Sequence, residues 1–450
     1  VFLMSKKKQV SPQTLKGFRD LMPEQVAGRN HIISSARKVA MAHDFEEIAT
    51  PFIEYKEVLL GQGGETDKQV YLFEDSGGRE IGLRYDLTIP FSRYVAANQN
   101  SLRIPFKKFQ TGTVFRGEKP QKGRYREFVQ ADFDIIGTTD WRSDIEVIEC
   151  LSSVLQQVLN SGFDSDSENG VNAFCFSLSH RTILAALLRK GLGLKIPGLD
   201  AVPFTLFIAL DKLEKIGPQK TAELAGKALA EEGIECKDVT EIQSFFERLP
   251  ELSRSTQQTK GFLQDYLHAE PGSTLHDELA RFEQNIHMLT QLNVPFKVDW
   301  SIARGLGYYT GMVFETMLTA APELGSICSG GRYDKLCSRF GKGDLPGVGG
   351  SVGVDRLLAA ELWSPTKSRK VFVATADKTA QTYAMEVAAL LRNRGEQVHL
   401  GVGSPKLAKQ MQFAAKHGFD AVAIVGEQEM QTKSYTLKTL STGEQEVVAL

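Results

Sequence analysis

Apolar positions recur along this chain in two rhythms, one near 3.6 residues and one near 2, and the rhythm changes three times. After Pro23, the residues Val26, Ile33, Ala36, Val39 and Ala40 share one helical face, and the pattern ends near His43. Phe45 to Ile53 alternates like a strand broken by Pro51, which has no N–H to give a sheet ladder and so marks an edge, a bend or an interface. Strand-like pieces follow at Gln69–Glu74, Glu80–Tyr85 and Phe106–Phe115, then a second strand up to Gly137, and Trp141–Leu159 reads as a helix. From Leu178 to about Leu267 the period is helical, with runs at Arg181–Lys190, Pro218–Glu232 and Thr240–Leu249, as in a helical insertion within the main domain. Strands and glycines return from Pro295 to Gly353, and Val354–Leu362 reads as a helix. Residues 363–369 carry Ser364, Pro365, Thr366 and Lys367 and mark a linker. Beyond it, strands (Val371–Thr375, Gln397–Val402, Ala421–Val425) alternate with helices (Thr379–Asn393, Pro405–His417), and a hairpin closes around Thr442 and Gly443. That alternation predicts a small α/β domain with a largely parallel core over residues 370–450.

Length agrees with this division, since 450 residues exceed what one core holds. A net charge of −2 excludes a globally basic nucleic-acid binder. Charge is uneven, however. Arg103, Lys107, Lys108, Arg116, Lys119, Lys122, Arg124 and Arg126 crowd one stretch, opposed by Glu118 and Glu127, and such a patch suits phosphate, with a solvated loop as the plain alternative. The five cysteines form no close pair and predict free thiols in a reducing, cytoplasmic setting. No C-x-x-C or H-E-x-x-H occurs, so no protein-built metal site is expected, and no apolar run is long enough for a membrane span.

Four segments put polar groups where a core would want apolar ones. The most informative is Phe115–Gly137, two strands joined by a cationic loop. Arg116 ends the first strand, while Gln130 and Asp134, four apart on the second, point the same way. A phosphate-binding cation and two polar groups for a small ligand thus converge on one floor. In Leu83–Thr88, Asp86 and Thr88 share a strand face and suit an ammonium group, with a turn or helix cap as the alternative. In Ala303–Gly311, Gly305 and Gly307 lie between Arg304 and the pair Tyr308 and Tyr309, allowing close backbone approach; Gly330–Asp334 adds Tyr333. In Gly347–Leu358, a glycine-rich strand feeds a helix whose first turn carries Arg356, a second phosphate partner. No G-x-x-x-x-G-K-[ST] and no intact G-x-G-x-x-G is present, which disfavours a P-loop or dinucleotide fold.

Together these segments resemble the class II aminoacyl-tRNA synthetases. Phe115–Gly137 is similar to motif 2, Gly347–Leu358 to motif 3 and the Pro51 region to motif 1, and Arg304–Gly311 with Gly330–Asp334 resembles the two signatures of the histidyl-tRNA synthetase family. The resemblance runs from about Gly17 to the C-terminus and is weakest in the helical insertion. It implies an α+β catalytic domain over residues 1–362, with an antiparallel sheet flanked by helices and an insertion at about 178–267, followed by an anticodon-binding domain at 370–450. It also implies a homodimer with the motif 1 region at the interface.

The roles it implies are specific. Asp86, Leu87, Thr88 and Gln130 would bind the histidine ammonium end, and Asp134 and Tyr309 the imidazole, with Tyr308 and Tyr333 lining the pocket. Arg116, assisted by Glu118, and Arg304 would approach the α-phosphate from opposite sides. Phe128 would stack on adenine, Arg124 and Arg356 would hold the outer phosphates of a bent, Mg²⁺-bound ATP, and Gln121 and Lys122 would touch the tRNA acceptor end. The implied reaction joins L-histidine to tRNA(His) through an adenylate. The rival implied by the same resemblance is a catalytically silent regulatory subunit of a histidine-biosynthetic phosphoribosyltransferase, which Arg116, Arg304, Arg356 and the C-terminal domain argue against. Two departures stand out: Gly307 replaces a frequent aspartate, and relatives usually continue into a final helix after the position of Glu446–Ala449.

Overall fold

A computed structural model describes residues 10–61, 67–121, 123–160, 173–303, 307–341, 343–361, 369–402 and 406–450. The chain divides into two compact units, Val1–Ser364 and Pro365–Leu450. The expected linker falls almost wholly outside the described residues, as do Lys122 and Arg304.

The first unit is built on an eight-stranded sheet. In chain order its strands are β1 (Glu46–Glu47), β5 (Phe106–Phe115), β6 (Glu127–Ile136), β7 (Phe174–His180), β8 (Phe296–Val298), β9 (Met312–Leu318), β10 (Cys328–Arg332) and β11 (Gly347–Gly353). Their spatial order is β1-β5-β6-β11-β10-β9-β7-β8. The six central strands pair antiparallel, and only the two edges, β1 on β5 and β8 on β7, are parallel. A small sheet of β2 (Ile53–Tyr55), β3 (Leu72–Glu74) and β4 (Glu80–Leu83) lies apart from it, in the order β2-β4-β3. Pro51 therefore separates strands of two different sheets, β1 and β2, rather than interrupting one.

Helices Pro23–Ala42 and Arg142–Asn160 bury Ile32, Ala36, Val39, Ile148, Leu151 and Leu155 in one core with Phe109, Phe133 and Phe314 of the sheet. Aromatic contacts such as Phe109–Phe133, with centroids 5.0 Å apart, tie that core together. The helical segment differs from expectation at both ends. Leu178 to His180 belong to β7, and helices then run from Arg181 as far as Gln291. At the N-terminal end Phe174, Phe176 and Leu178 alternate with Ser177 and Ser179 as a strand requires, and the helical period begins only at Arg181.

The second unit contains β12 (Lys370–Thr375), β13 (Gln397–Leu400), β14 (Ala421–Val425), β15 (Ser434–Thr439) and β16 (Gln445–Ala449) in the order β13-β12-β14-β15-β16. The first three are parallel and the last two antiparallel, with helices Gln381–Asn393 and Leu407–Lys416 supplying buried apolar faces. The parallel core and the closing hairpin are as the sequence predicts.

Candidate active site

The antiparallel pair β5–β6 positions the site. Its register sets Lys108 opposite Asp134, Gln110 opposite Asp132 and Gly112 opposite Gln130, so these side chains share one face of the sheet. Above that face opens a cleft of about 280 Å³. From Phe128 to Asp134, six residue steps along β6, it extends roughly 20 Å.

One end is cationic and aromatic. Arg116 follows β5 and is held between two rings, with its guanidinium carbon 4.3 Å from the Tyr85 centroid and 5.0 Å from that of Phe128, while its Nε donates to the Tyr85 carbonyl at 3.3 Å. Arg124 faces Glu118 at 3.5 Å across the loop. Arg356 comes from helix Val354–Ala359 and donates to the Ser326 carbonyl. Asp355 next to it accepts from the Val129 N–H at 2.6 Å and pairs with Arg19, so the helix is stapled to β6.

The other end is buried and polar. Asp134, 1% exposed, accepts from Lys108 Nζ at 2.9 Å and from the Tyr333 hydroxyl at 2.6 Å. Tyr308 packs on Tyr309 (4.8 Å) and meets Tyr333 edge-on (6.1 Å). Burial, then the Asp134 charge, pushes the Tyr333 hydroxyl well above its usual pKa, so it stays a proton donor. Asp86 caps helix Thr88–Asn98 by accepting from the Ile89 N–H at 3.0 Å. The strand β4 stops at Leu83, so the turn-and-cap alternative, not the shared strand face, describes Asp86 and Thr88. Burial raises the Asp86 carboxyl pKa, opposed by the Ile89 N–H and Arg116.

Of the residues predicted from the sequence, Asp86, Thr88, Arg116, Glu118, Arg124, Phe128, Gln130, Asp134, Tyr308, Tyr309, Tyr333 and Arg356 all line this single cleft. Leu87 does not. It is fully buried, packed near Gly112 of β5, because its apolar side chain turns into the core while its neighbours face the cleft. Gln121 is exposed and exchanges backbone hydrogen bonds with Arg124 in a tight turn, outside the cleft. Among the described residues no group of three or more His, Cys, Asp or Glu side chains is arranged to hold a metal.

Sequence reasoning missed Lys108 and Asp132. Lys108 was counted with the loop cations but is 0% exposed and paired inward. Asp132 lies between Gln130 and Asp134 on the same face, and the period of two that selects those two selects it as well.

Glycine completes the wall. A Cβ on Gly349 would stand 1.9 Å from Asp134 Oδ1, and one on Gly330 2.1 Å from the Gly349 carbonyl. Gly349→Ala is therefore expected to push the Asp134 carboxylate aside, at a cost of about 1–3 kcal/mol in stability. A lowered thermal unfolding midpoint checks this, and an unchanged midpoint would contradict the tight approach.

Comparison with known proteins agrees with this geometry. The family model described as Histidyl-tRNA synthetase matches residues 17–357, and that described as Anticodon binding domain matches residues 370–450. A histidine–tRNA ligase of Rhodopirellula baltica is 39% identical over 98% of this chain and 96% of its own length. One from Helicobacter hepaticus is 34% identical over 97% and 96%. Among solved structures, the histidyl-tRNA synthetase of Nostoc sp. PCC 7120 superposes with a TM-score of 0.76 at 27% identity, covering 98% of this chain and 97% of that one. A Bacillus halodurans protein described as an ATP phosphoribosyltransferase regulatory subunit/histidyl-tRNA synthetase shares the fold, with a TM-score of 0.70 at 22% identity over 93% of this chain and 99% of that one. With a matching family model over most of its length and close full-length relatives, the chain belongs to the histidyl-tRNA synthetase family.

Proposed function

We propose that this chain is a histidine–tRNA ligase that activates L-histidine with ATP and then transfers it to the 3′ end of tRNA(His). The observation that carries the reading is the meeting, in one cleft, of Arg116 and Arg356 with the buried set Asp86, Gln130 and Asp134. Relatives bearing the ligase name match it along nearly their whole length, which disfavours the regulatory-subunit rival.

In the first step the histidine carboxylate attacks the α-phosphorus and pyrophosphate leaves. Negative charge grows on the phosphoryl oxygens, so catalysis consists of fixed positive charge and alignment, with no protein nucleophile. Arg116 is the group we assign to the α-phosphate, with Arg304 opposite it, and Arg124 and Arg356 to the outer phosphates. Phe128 supports the adenine. Mg²⁺ enters as part of the nucleotide substrate. Asp134, fixed by Lys108 and Tyr333, accepts from the imidazole, with Tyr309 beside it. A site of buried donors and acceptors rejects apolar amino acids, since its groups would be left unpaired. In the second step a ribose hydroxyl of tRNA takes the histidyl group, with Gln121 and Lys122 at the acceptor end and residues 370–450 on the anticodon.

A cytoplasmic homodimer completes the proposal. Phe52, Ile53, Tyr55, Leu72 and Phe73 are each 42–52% exposed around the small sheet, an apolar surface suited to a second copy. No helix among the described residues is long and apolar enough to cross a membrane. Light scattering is expected to give about twice the 49.8 kDa chain mass, and a monomeric mass would refute the dimer.

The test of function is ATP–pyrophosphate exchange across the standard amino acids. Exchange with histidine alone is expected. Absence of exchange together with histidine binding would favour the regulatory subunit.

A further inference from the structure

The buried end of the cleft holds more acceptors than its own donors satisfy. Asp134 has both carboxylate oxygens engaged, by Lys108 and Tyr333. In contrast, three buried acceptor atoms have no hydrogen-bond partner: Asp86 Oδ2, Gln130 Oε1 and Asp132 Oδ1. Their residues are 5%, 8% and 3% exposed, and all three line the cleft. They are also linked. The Ser351 hydroxyl accepts from Gln130 Nε2 at 2.6 Å and bonds the Asp132 carboxylate, and Asp86 and Asp132 lie within range of each other's charge. Buried acceptors without donors are costly and rare, and a cluster of them facing a cleft points to a ligand that brings donors.

We propose that Asp132 is a substrate-binding residue, which together with Asp86 and Gln130 receives the three N–H donors of the amino acid's α-ammonium group. This rests on the histidine-activating reading above and adds to it a carboxylate that the sequence motifs pass over. One ammonium carries three donors, and three acceptors wait for it.

Charges around Asp132 favour a cationic ligand. Three carboxylates, Asp86, Asp132 and Asp134, face two buried cations. Lys108 is spent on Asp134, and Arg84 gives its N–H groups to the Thr113 and Thr50 carbonyls at 2.8 Å. Arg116 faces Asp86 from the phosphate end. Burial pushes the Asp132 carboxyl up to about 7, with Lys108 and Ser351 opposing and the Asp134 and Asp86 charges adding to the rise. At neutral pH part of the population is therefore protonated in the empty cleft. A bound ammonium favours the ionised form, so binding releases a proton. Affinity then increases as pH rises through about 7 and falls again where the ligand's own ammonium loses its proton.

Calorimetric titration of the full chain with L-histidinol, which has the ammonium but no carboxylate, tests this without ATP. Repeating it in two buffers of different ionisation enthalpy counts the protons. Wild type is expected to release protons on binding at pH 7. Asp132→Asn is expected to release fewer and to bind histidinol roughly ten-fold or more weakly. Imidazolepropionate, which lacks the ammonium, should bind both proteins alike, and this also reports an intact pocket. Equal histidinol affinity and proton release in the variant would overturn the inference, as would equal weakening of both ligands. If wild type catalyses histidine-dependent exchange, such a result removes only the role of Asp132; if it does not, the histidine reading falls and this one with it.

Discussion

Alanine at Arg116 is expected to slow histidine activation about 10²–10³-fold, the loss that follows removal of one preorganised group at a developing oxyanion. The geometry explains why the loss should appear in kcat. Arg116 needs no ligand to hold it in place, because the rings of Tyr85 and Phe128 and the Tyr85 carbonyl already fix its plane. In the role proposed for it the positive charge meets the α-phosphate without reorganisation, and its contribution is largest when charge on the phosphoryl oxygens is largest. Deleting it should lower kcat and kcat/KM together and leave the histidine KM nearly unchanged. The cost to stability should stay near about 1 kcal/mol, from the two cation–π contacts. Arg116→Lys should recover only part of the rate, since an ammonium keeps the charge but loses the planar fork that both rings and phosphate use. Single-turnover adenylate formation separates these effects. A variant that activates histidine at the wild-type rate would remove Arg116 from the chemistry.

The sequence made the strands around the cleft legible because their side chains alternate cleanly. Gln130 and Asp134 interrupt an apolar run at a period of two, and β5 and β6 fall where that pattern puts them. Less legible was anything decided by partners distant in the chain. Lys108 looked like one more loop cation, yet register with Asp134 turns it into the fold. Arg126 looked the same, yet its Nε and Nη1 donate to the Glu118 and Lys16 carbonyls and brace the loop. A local charge count cannot separate cations that serve phosphate from those that serve the scaffold. Leu87 was carried along with Asp86 and Thr88 although its apolar side chain has a place in the core. Asp132 shows the opposite failure: the alternation was visible, but the motif drew attention only to its flanks.

Arg332→Ala is expected to destabilise the first unit by about 3–5 kcal/mol, the cost of leaving one member of a buried ion pair alone. Arg332 ends β10 and is 2% exposed. Its Nε donates to Asp144 Oδ1 at 2.9 Å, its Nη2 to the Ser143 hydroxyl at 2.9 Å, and its Nη1 to the Thr138 carbonyl and Asp334, both at 3.2 Å. One side chain thus joins the sheet to the first turn of helix Arg142–Asn160 and to the loop before it. Without it Asp144, 1% exposed, loses its direct ion-pair partner and keeps only the weaker influence of His180 and Arg281. Replacing both partners, Arg332→Leu with Asp144→Leu, should recover much of the loss, because the desolvation cost disappears with the charges. The described tryptophans, Trp141 and Trp300, both belong to the first unit and the second unit beyond residue 368 has none, so urea unfolding followed by tryptophan fluorescence reads the first unit. The neighbour of Arg332 is Tyr333, whose hydroxyl holds Asp134, so the single variant should also raise the histidine KM more than the ATP KM. A double variant no more stable than the single one would mean that the arginine acts through its bonds to Ser143 and Thr138 rather than through the charge of Asp144.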